Sequence, residues 1–232
     1  MLQQEVSEVG SYFSIIKAIA AGNHRLSTIA AVLEAKSTNL TKYLKTLMDL
    51  DILERRVPVT EENPEKSKRG LYKIKDNYLR FWFAFIYPNM SFIESGHSGI
   101  VMDKIRKGLT TSHIGFVYED ICQERMWELN VNNAWPFQFS KLGGYWDAKN
   151  EIDIAALDPE GKNLILGECK YWKEPVGLNV LHALETKACD VAWERDRRKV
   201  WYVLFSISGF SDELRNHAAT RDDLLLIDDG ER

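Results

Sequence analysis

Two apolar runs, Glu151-Ile152-Asp153-Ile154-Ala155-Ala156-Leu157 and Asn163-Leu164-Ile165-Leu166-Gly167-Glu168-Cys169-Lys170, flank Asp158-Pro159-Glu160-Gly161-Lys162. Apolar runs on either side of a Pro/Gly turn read as a β-hairpin. Three charges, Asp153, Glu168 and Lys170, interrupt sequence that is otherwise suited to buried strands, and a buried charge is costly unless it is paired or bound to metal. Side chains repeat along a strand with a period of two, so Glu168 and Lys170 leave the same face. A short turn sets Asp153 opposite Glu168, with Cβ atoms roughly 5 Å apart. Two carboxylates so placed repel unless a cation lies between them. A hard divalent ion, Mg²⁺ or Mn²⁺, meets that need through carboxylate, carbonyl and water oxygens, with the Cys169 carbonyl as a further donor. Lys170 then stands at the rim, where its ammonium can orient an attacking water or steady charge developing on a phosphate. The competing reading is a surface hairpin whose Glu and Lys form an ordinary cross-strand ion pair.

An Asp on one strand followed by Glu-x-Lys on the next resembles the core of the PD-(D/E)XK nuclease superfamily, here Asp153 and Glu168-Cys169-Lys170. The motif is short, so its surroundings have to support it. With 232 residues and 45% hydrophobic content, the chain can bury one large core or two smaller ones. Cys122, Cys169 and Cys189 form no C-x-x-C pair, and three thiols suit a reducing cytoplasm better than a disulfide framework. The most apolar segment, Phe81 to Tyr87, is far short of the roughly 20 residues that span a bilayer, and no membrane partner is expected. The formal net charge of −4 is unevenly spread. Residues 1–75 hold 12 Lys and Arg against 9 Asp and Glu, a net +3, and the remainder holds 18 against 25, a net −7. The basic front and acidic back suggest different tasks.

Helical spacing of Val9, Tyr12, Phe13, Ile16, Ile19 and Ala20 predicts a helix that ends at Gly22-Asn23. Ile29, Ala30 and Leu33 predict a second. A third, with N-cap chemistry offered by Ser37-Thr38-Asn39, carries Leu40, Tyr43, Leu44, Leu47, Met48 and Leu50. Strand-like runs Ile52–Val59 and Gly70–Ile74 follow, which makes residues 1–75 a winged helix-turn-helix. In that fold the third helix presents Ser37, Asn39, Lys42 and Lys45 to a DNA major groove, and Arg55, Arg56, Lys66, Lys68 and Arg69 reach backbone phosphates from the wing. Glu61, Glu62 and Glu65 dilute the wing's charge, and a protein-docking role is the alternative.

Residues 76–111 read as a helical connector. Its aromatic run Asp76 to Tyr87 is expected to pack the two domains together, and breaks are expected at Gly96, Gly99 and Gly108 to Thr111. In residues 112–232, Ser112 is expected to cap a helix with Gly115, Glu119, Cys122 and Met126 on one stripe, so that Glu119 faces the core and joins or orients the metal site. A first strand is expected at Trp135–Ser140 and a turn at Gly143–Asp147, followed by the hairpin. A helix then carries Val180, Leu181, Leu184 and Ala188, before a fully buried strand at Lys199–Phe205, a helix at Ser211–Ala219 and a last strand at Leu224–Ile227. The order αβββαβαβ predicts a mixed α/β sheet with helices on both sides.

That order, with Glu119 on the first helix, resembles the restriction-endonuclease-like core. The segments Tyr12–Ala20, Tyr43–Leu47, Val57–Thr60 and Asp76–Tyr87, together with Glu151-Ile152-Asp153 and Gly167-Glu168-Cys169-Lys170, are similar to the rear half of archaeal and bacterial AAA+-type ATPases ending in the domain DUF234. The resemblance implies a winged helix followed by a nuclease-like domain. Its implied metal and catalytic set is Glu119, Asp153, Glu168 and Lys170, its implied partner DNA, and its implied context an ATPase domain in cis or in trans. No G-x-x-x-x-G-K-[ST] loop occurs, so no ATP site of P-loop type is expected here. The leading expectation is a metal-dependent deoxyribonuclease. The rival is a non-catalytic module that docks on DNA or an ATPase and keeps an inactive nuclease fold.

Overall fold

The computed structural model describes the backbone of residues 2–230 and the side chains of residues 10–230, so the Val9 side chain lies outside it. Two compact units divide the chain, one formed by Met1–Val57 with Asn63–His113 and the other by Pro58–Glu62 with Ile114–Arg232.

The first unit begins with α1 (Leu2–Ala20), α2 (Leu26–Val32) and α3 (Ser37–Asp49), then the antiparallel ribbon β1 (Leu53–Arg56) and β2 (Leu71–Ile74). Three helices thus precede a two-stranded ribbon. Ile15, Ile19, Ile29, Leu44 and Leu47 are almost wholly buried, the result expected where apolar residues recur every three or four positions on packed helices, and Leu53 of β1 joins them. Position Ser37 differs from expectation, because it is the first residue of α3, Lys36 stands at the N-cap, and no side chain caps there. Aromatic residues continue this core. After α4 (Asn77–Phe81) the helix widens over Trp82–Ile86 into a π-turn, which puts Phe83 into the same cluster as α1, with the Phe13 and Tyr87 rings 5.6 and 5.5 Å away. The aromatic run is therefore part of the first unit's own core.

Gly96, at φ +80°, separates α5 (Met90–Glu94) from α6 (Ser98–Leu109), while Gly99 sits inside α6. The expected break at Gly108 to Thr111 is absent. Helical turns run on through a π-segment at Thr110–Ile114, so Ser112 lies within the helical path and caps nothing. One extra residue per π-turn rephases the helix without interrupting it.

In the second unit, α7 (Gly115–Val131) precedes β3 (Lys141–Trp146), β4 (Glu151–Leu157) and β5 (Asn163–Lys170). Then come α8 (Leu178–Asp190), β6 (Lys199–Ser206), α9 (Asp212–Ala218) and β7 (Leu224–Asp228). The five strands lie in the order β3-β4-β5-β6-β7; β3, β4 and β5 are antiparallel neighbours, and β5, β6 and β7 are parallel. This sheet is the predicted mixed α/β fold, but it starts later than the sequence suggests. Trp135–Ser140 forms no strand, and Gly143–Trp146 is strand where a turn was expected, the turn lying instead at Asp147–Asn150. Trp135 and Phe139 are buried, and the Asn130 side chain holds both the N–H and the carbonyl of Phe139, so an apolar run was read as strand when it is a packed loop.

Alternation along the strands sorts the core into two layers. Ala155, Leu157, Leu164, Leu166 and Leu204 meet Leu181 and Leu184 of α8 and Leu214 of α9. Ile154, Ala156, Ile165, Val203 and Phe205 meet Tyr118, Cys122 and Met126 of α7. Gly167 marks the tightest approach, since a Cβ there would stand 2.5 Å from Val203 Cγ1 and 2.8 Å from its carbonyl oxygen. Pro58–Glu62, although lying between β1 and β2 in sequence, belongs to this second unit. The Val59 N–H donates to the Gly144 carbonyl on edge strand β3 at 3.0 Å. No helix among the described residues is long and apolar enough to cross a membrane.

Candidate functional site

The hairpin joining β4 and β5 turns through Asp158–Lys162. Asp158 accepts from the Lys162 N–H at 2.9 Å and from the Asn163 side chain at 2.7 Å, and Gly161 takes φ +72°. That left-handed position suits glycine, which has no Cβ to clash. The register runs from Leu157↔Leu164 to Ile154↔Gly167 and then stops. On β3 the pairing steps from Gly143 to Tyr145 while on β4 it steps from Ala155 to Ile152, so β4 carries one extra residue and bulges at Asp153–Ile154. Bulges bend a strand and re-aim its side chains. Here the Asp153 carboxylate replaces the missing ladder partner and accepts the Cys169 N–H at 2.8 Å.

One step further along β5, Glu168 is 5% exposed. Lys170 Nζ lies 2.5 Å from Glu168 Oε2 and 3.5 Å from Asp153 Oδ2, a single ammonium shared by both carboxylates. A second ammonium completes the group. Lys187, near the end of α8, reaches Glu168 Oε1 at 2.6 Å and the Glu151 carbonyl at 2.7 Å. Each oxygen of Glu168 is thus held by its own lysine. Nothing local in the sequence signals Lys187; only the crossover that lays α8 over β5 brings it there.

Electrostatics separate the two carboxylates. Burial, and then the charge of Glu168, push Asp153 above the usual value of 3.8; Lys170 and the Cys169 N–H oppose this without reversing it. Burial also acts to raise Glu168, but Lys170 and Lys187 outweigh it and hold that group below its usual 4.5. Lys170 is subject to a lowering effect of burial, yet Asp153 and Glu168 carry it above 10.5. Paired ionisable groups pushed apart in this way are common where chemistry is done.

The other residues expected here divide. The Cys169 side chain is buried on the α7 side, among Tyr118, Cys122 and Phe205, and burial raises its thiol well above the usual range. Any contribution from it to the site comes through the carbonyl, which leaves the strand on the side of its N–H, toward Asp153. Glu119 is half-buried on α7, and its charge is felt at the Cys169 thiol. Among the described residues, no three His, Cys, Asp or Glu side chains come together to hold a metal. The donors that remain are two carboxylates and a carbonyl. Such a set fits Mg²⁺, which keeps several waters and takes one or two protein carboxylates beside substrate phosphate.

On the first unit, Ser37, Asn39, Lys42 and Lys45 are exposed along α3, opposite buried Leu40, Leu44 and Leu47. Lys66 and Lys68 are exposed on the loop and Arg69 is half-buried. Arg55 is placed differently from the expectation of phosphate contact. Its guanidinium donates to the carbonyls of Pro64 and Ser67 at 2.8 and 2.6 Å, and Gly70 leaves it room, since a Cβ there would lie 2.5 Å from Arg55 Nε. Arg56 pairs with Glu54 at 2.6 Å. Arg55 therefore ties the loop to β1, and Arg56 pairs within its own strand. Arg25, which the sequence did not point to, lines a cleft with Ser37, Arg55 and Lys68.

A five-stranded sheet of this order with helices on both faces, and two carboxylates and a lysine gathered where β4 and β5 part, defines a mixed α/β domain. The DUF234 family of archaeal and bacterial proteins of unknown function matches residues 82–188, a span that includes Asp153, Glu168, Lys170 and Lys187. Uncharacterized protein MJECL04 of Methanocaldococcus jannaschii is 40% identical over 174 residues, covering 75% of this chain; the chain spans 38% of that protein's length. Two solved structures are also similar. A repair endonuclease from Pyrococcus abyssi gives 12% identity and a TM-score of 0.30 over 44% of each chain. The EndoMS–dsDNA2 complex gives 14% identity and 0.29 over 46% of this chain and 44% of that one.

Proposed function

We propose that the second unit is a metal-dependent phosphodiesterase acting on DNA, and that the first unit brings it to its substrate. The observation that carries this reading is the shared ammonium: Lys170 lies within ion-pair distance of both Asp153 and Glu168 at the mouth of a fork between β4 and β5. Asp153, Glu168 and the Cys169 carbonyl would hold Mg²⁺ or Mn²⁺, with Glu119 orienting the site. When bound, that ion supplies Lewis-acid polarisation of a phosphoryl oxygen. Lys170 positions the attacking water and stabilises charge on the phosphate, and burial of the site strengthens both effects by excluding solvent. Exposed Ser37, Asn39, Lys42 and Lys45 on α3, with Lys66 and Lys68 on the loop, provide the phosphate and groove contacts. An ATPase domain, in cis or in trans, belongs to the same proposal and rests on the resemblance of the chain to the rear half of AAA+-type ATPases.

A second reading, an inactive nuclease fold used as a docking scaffold, is favoured by one observation. Glu168 already carries two ammonium partners, so Asp153, Glu168, Lys170 and Lys187 balance in charge without an ion. Incubation of labelled duplex and branched DNA with Mn²⁺ separates the two. The nuclease reading expects cutting by the wild type and none by Asp153→Asn or Lys170→Ala. Calorimetric titration with Mn²⁺ should show a site that disappears in Glu168→Gln. Equal behaviour of all proteins in both experiments leaves only the scaffold.

A further inference from the structure

Immediately after Lys170 the chain runs Tyr171-Trp172-Lys173, and the two aromatic residues part. Tyr171 turns inward onto Tyr118, with ring centres 5.6 Å apart. Trp172 stays 47% exposed, and the Lys170 ammonium stands 5.7 Å from the centre of its ring. The backbone beneath it is pinned. Ser208 Oγ donates to the Trp172 carbonyl at 2.5 Å, and a few residues on Val176 pairs with Phe210, its N–H donating to the Gly209 carbonyl at 2.9 Å. These contacts hold an exposed indole on a pinned loop beside the buried charged site.

We propose that Trp172 is a stacking platform for an unpaired nucleobase, so that the preferred substrates of this site are single-stranded, frayed or flapped nucleic acid rather than uninterrupted duplex. The inference rests on the phosphodiesterase reading of the Lys170 site and deepens it. A phosphate steadied by the Lys170 ammonium carries its own sugar and base within a few ångströms, the separation at which the indole waits. Stacking is open to every base through its flat face, so it gives affinity without sequence preference. In intact duplex that face is already covered by neighbouring base pairs. An exposed indole therefore favours strands whose bases are free. The positive charge of Lys170, with exposed Lys173 next in the chain, complements the phosphates of such a strand.

The test uses the full chain carrying Asp153→Asn, so that nothing is cut, and fluorescence anisotropy with a fluorescein-labelled thymidine oligomer and a matched blunt duplex. Asp153→Asn alone should bind the single strand more tightly than the duplex. Adding Trp172→Ala should weaken single-strand binding about tenfold, the scale of one lost stacking contact. Trp172→Phe should keep most of the affinity, and duplex binding should be the same in all three. The idea is overturned if Trp172→Ala binds the oligomer as its parent does, or if it loses single strand and duplex equally, which would mean that the indole only steadies Lys170. Cleavage by proteins with Asp153 intact keeps the two proposals apart. A wild type that never cuts while Trp172→Ala still loses the oligomer refutes the nuclease and leaves the platform, whereas a wild type and Trp172→Ala that cut flapped DNA at equal rates refute the platform and leave the nuclease.

Discussion

The two units use positive charge in opposite ways. In the ribbon of the first unit, Arg55 and Arg56 are half-buried and satisfied within the ribbon and its own loop, Arg55 by the carbonyls of Pro64 and Ser67 and Arg56 by Glu54 two positions away. In the sheet of the second, Lys170 and Lys187 converge from a strand and a helix on Glu168, whose side chain is 7% exposed. A local contact near water stabilises a loop and is worth little more than its hydrogen bonds. A contact assembled from separate elements and withdrawn from water costs desolvation before it returns anything. The first arrangement follows from the ribbon's own shape. The second is the one in which apolar residues of similar volume would fill the same space at least as stably.

Glu168→Gln should break the comparison most forcefully. It leaves two ammonium groups around a neutral amide in a site that is largely closed, and we expect a loss of about 2–3 kcal/mol in urea unfolding, somewhat under the full cost of an orphaned buried charge because both lysines keep some solvent. Mn²⁺ binding should vanish with it. If Glu168→Gln unfolds like the wild type, the site is no more demanding than the ribbon.

Lys187→Met comes next, at about 1–2 kcal/mol of destabilisation, since Glu168 keeps Lys170 and the methionine can still pack its stem. Mn²⁺ should bind more tightly to this variant by calorimetry, because Glu168 Oε1 is released. Unchanged or weaker Mn²⁺ binding would show that Lys187 does not compete for that oxygen.

Asp153→Asn should stabilise, by up to about 1 kcal/mol, as one of two facing carboxylates is neutralised. The pH dependence gives the sign. Asp153 titrates above its ordinary value, so the folded protein holds that proton more firmly than the unfolded chain, and stability falls as pH rises from the usual aspartate range through the raised value. The advantage of Asp153→Asn should therefore be greatest above the raised value and shrink on acidification back toward the ordinary aspartate range. Thermal melts across that range read it directly; an advantage that grows on acidification contradicts the assignment.

Exposed Lys42 and Lys45 mark the other extreme. Their alanine variants should unfold within about 0.5 kcal/mol of the wild type, yet each should flatten the dependence of log affinity for duplex DNA on log salt by about 0.9 if it neutralises a phosphate. A slope unaltered in both variants removes α3 from the DNA surface.

Much of this was legible locally. The Pro/Gly turn at Asp158–Lys162 and the alternation on either side of it place Glu168 and Lys170 on one face before any tertiary contact is known, and the stripe of Leu40, Leu44 and Leu47 fixes which side of α3 is left for solvent. Where the fold departs from the local pattern, the local signal is ambiguous. Trp135–Ser140 is as apolar as a strand but is held as a loop by Asn130, and Gly143-Gly144 looks like a turn but lies on an edge strand against Val59. The Thr110–Ile114 π-turn likewise carries helix through a stretch that reads as a break.

Sequence by itself determined the hairpin, the period of its side chains and the αβαβ succession that follows it, with a helix before the hairpin, because each depends on residues near one another along the chain; the first strand it misplaced by several residues. Tertiary structure decided that β4 bulges at Asp153, that Lys187 closes over Glu168 from α8 and that Arg55 turns into its own loop. Charges find their partners through space, and the distance along the chain between Glu168 and Lys187 carries no trace of the 2.6 Å that separates them in the fold.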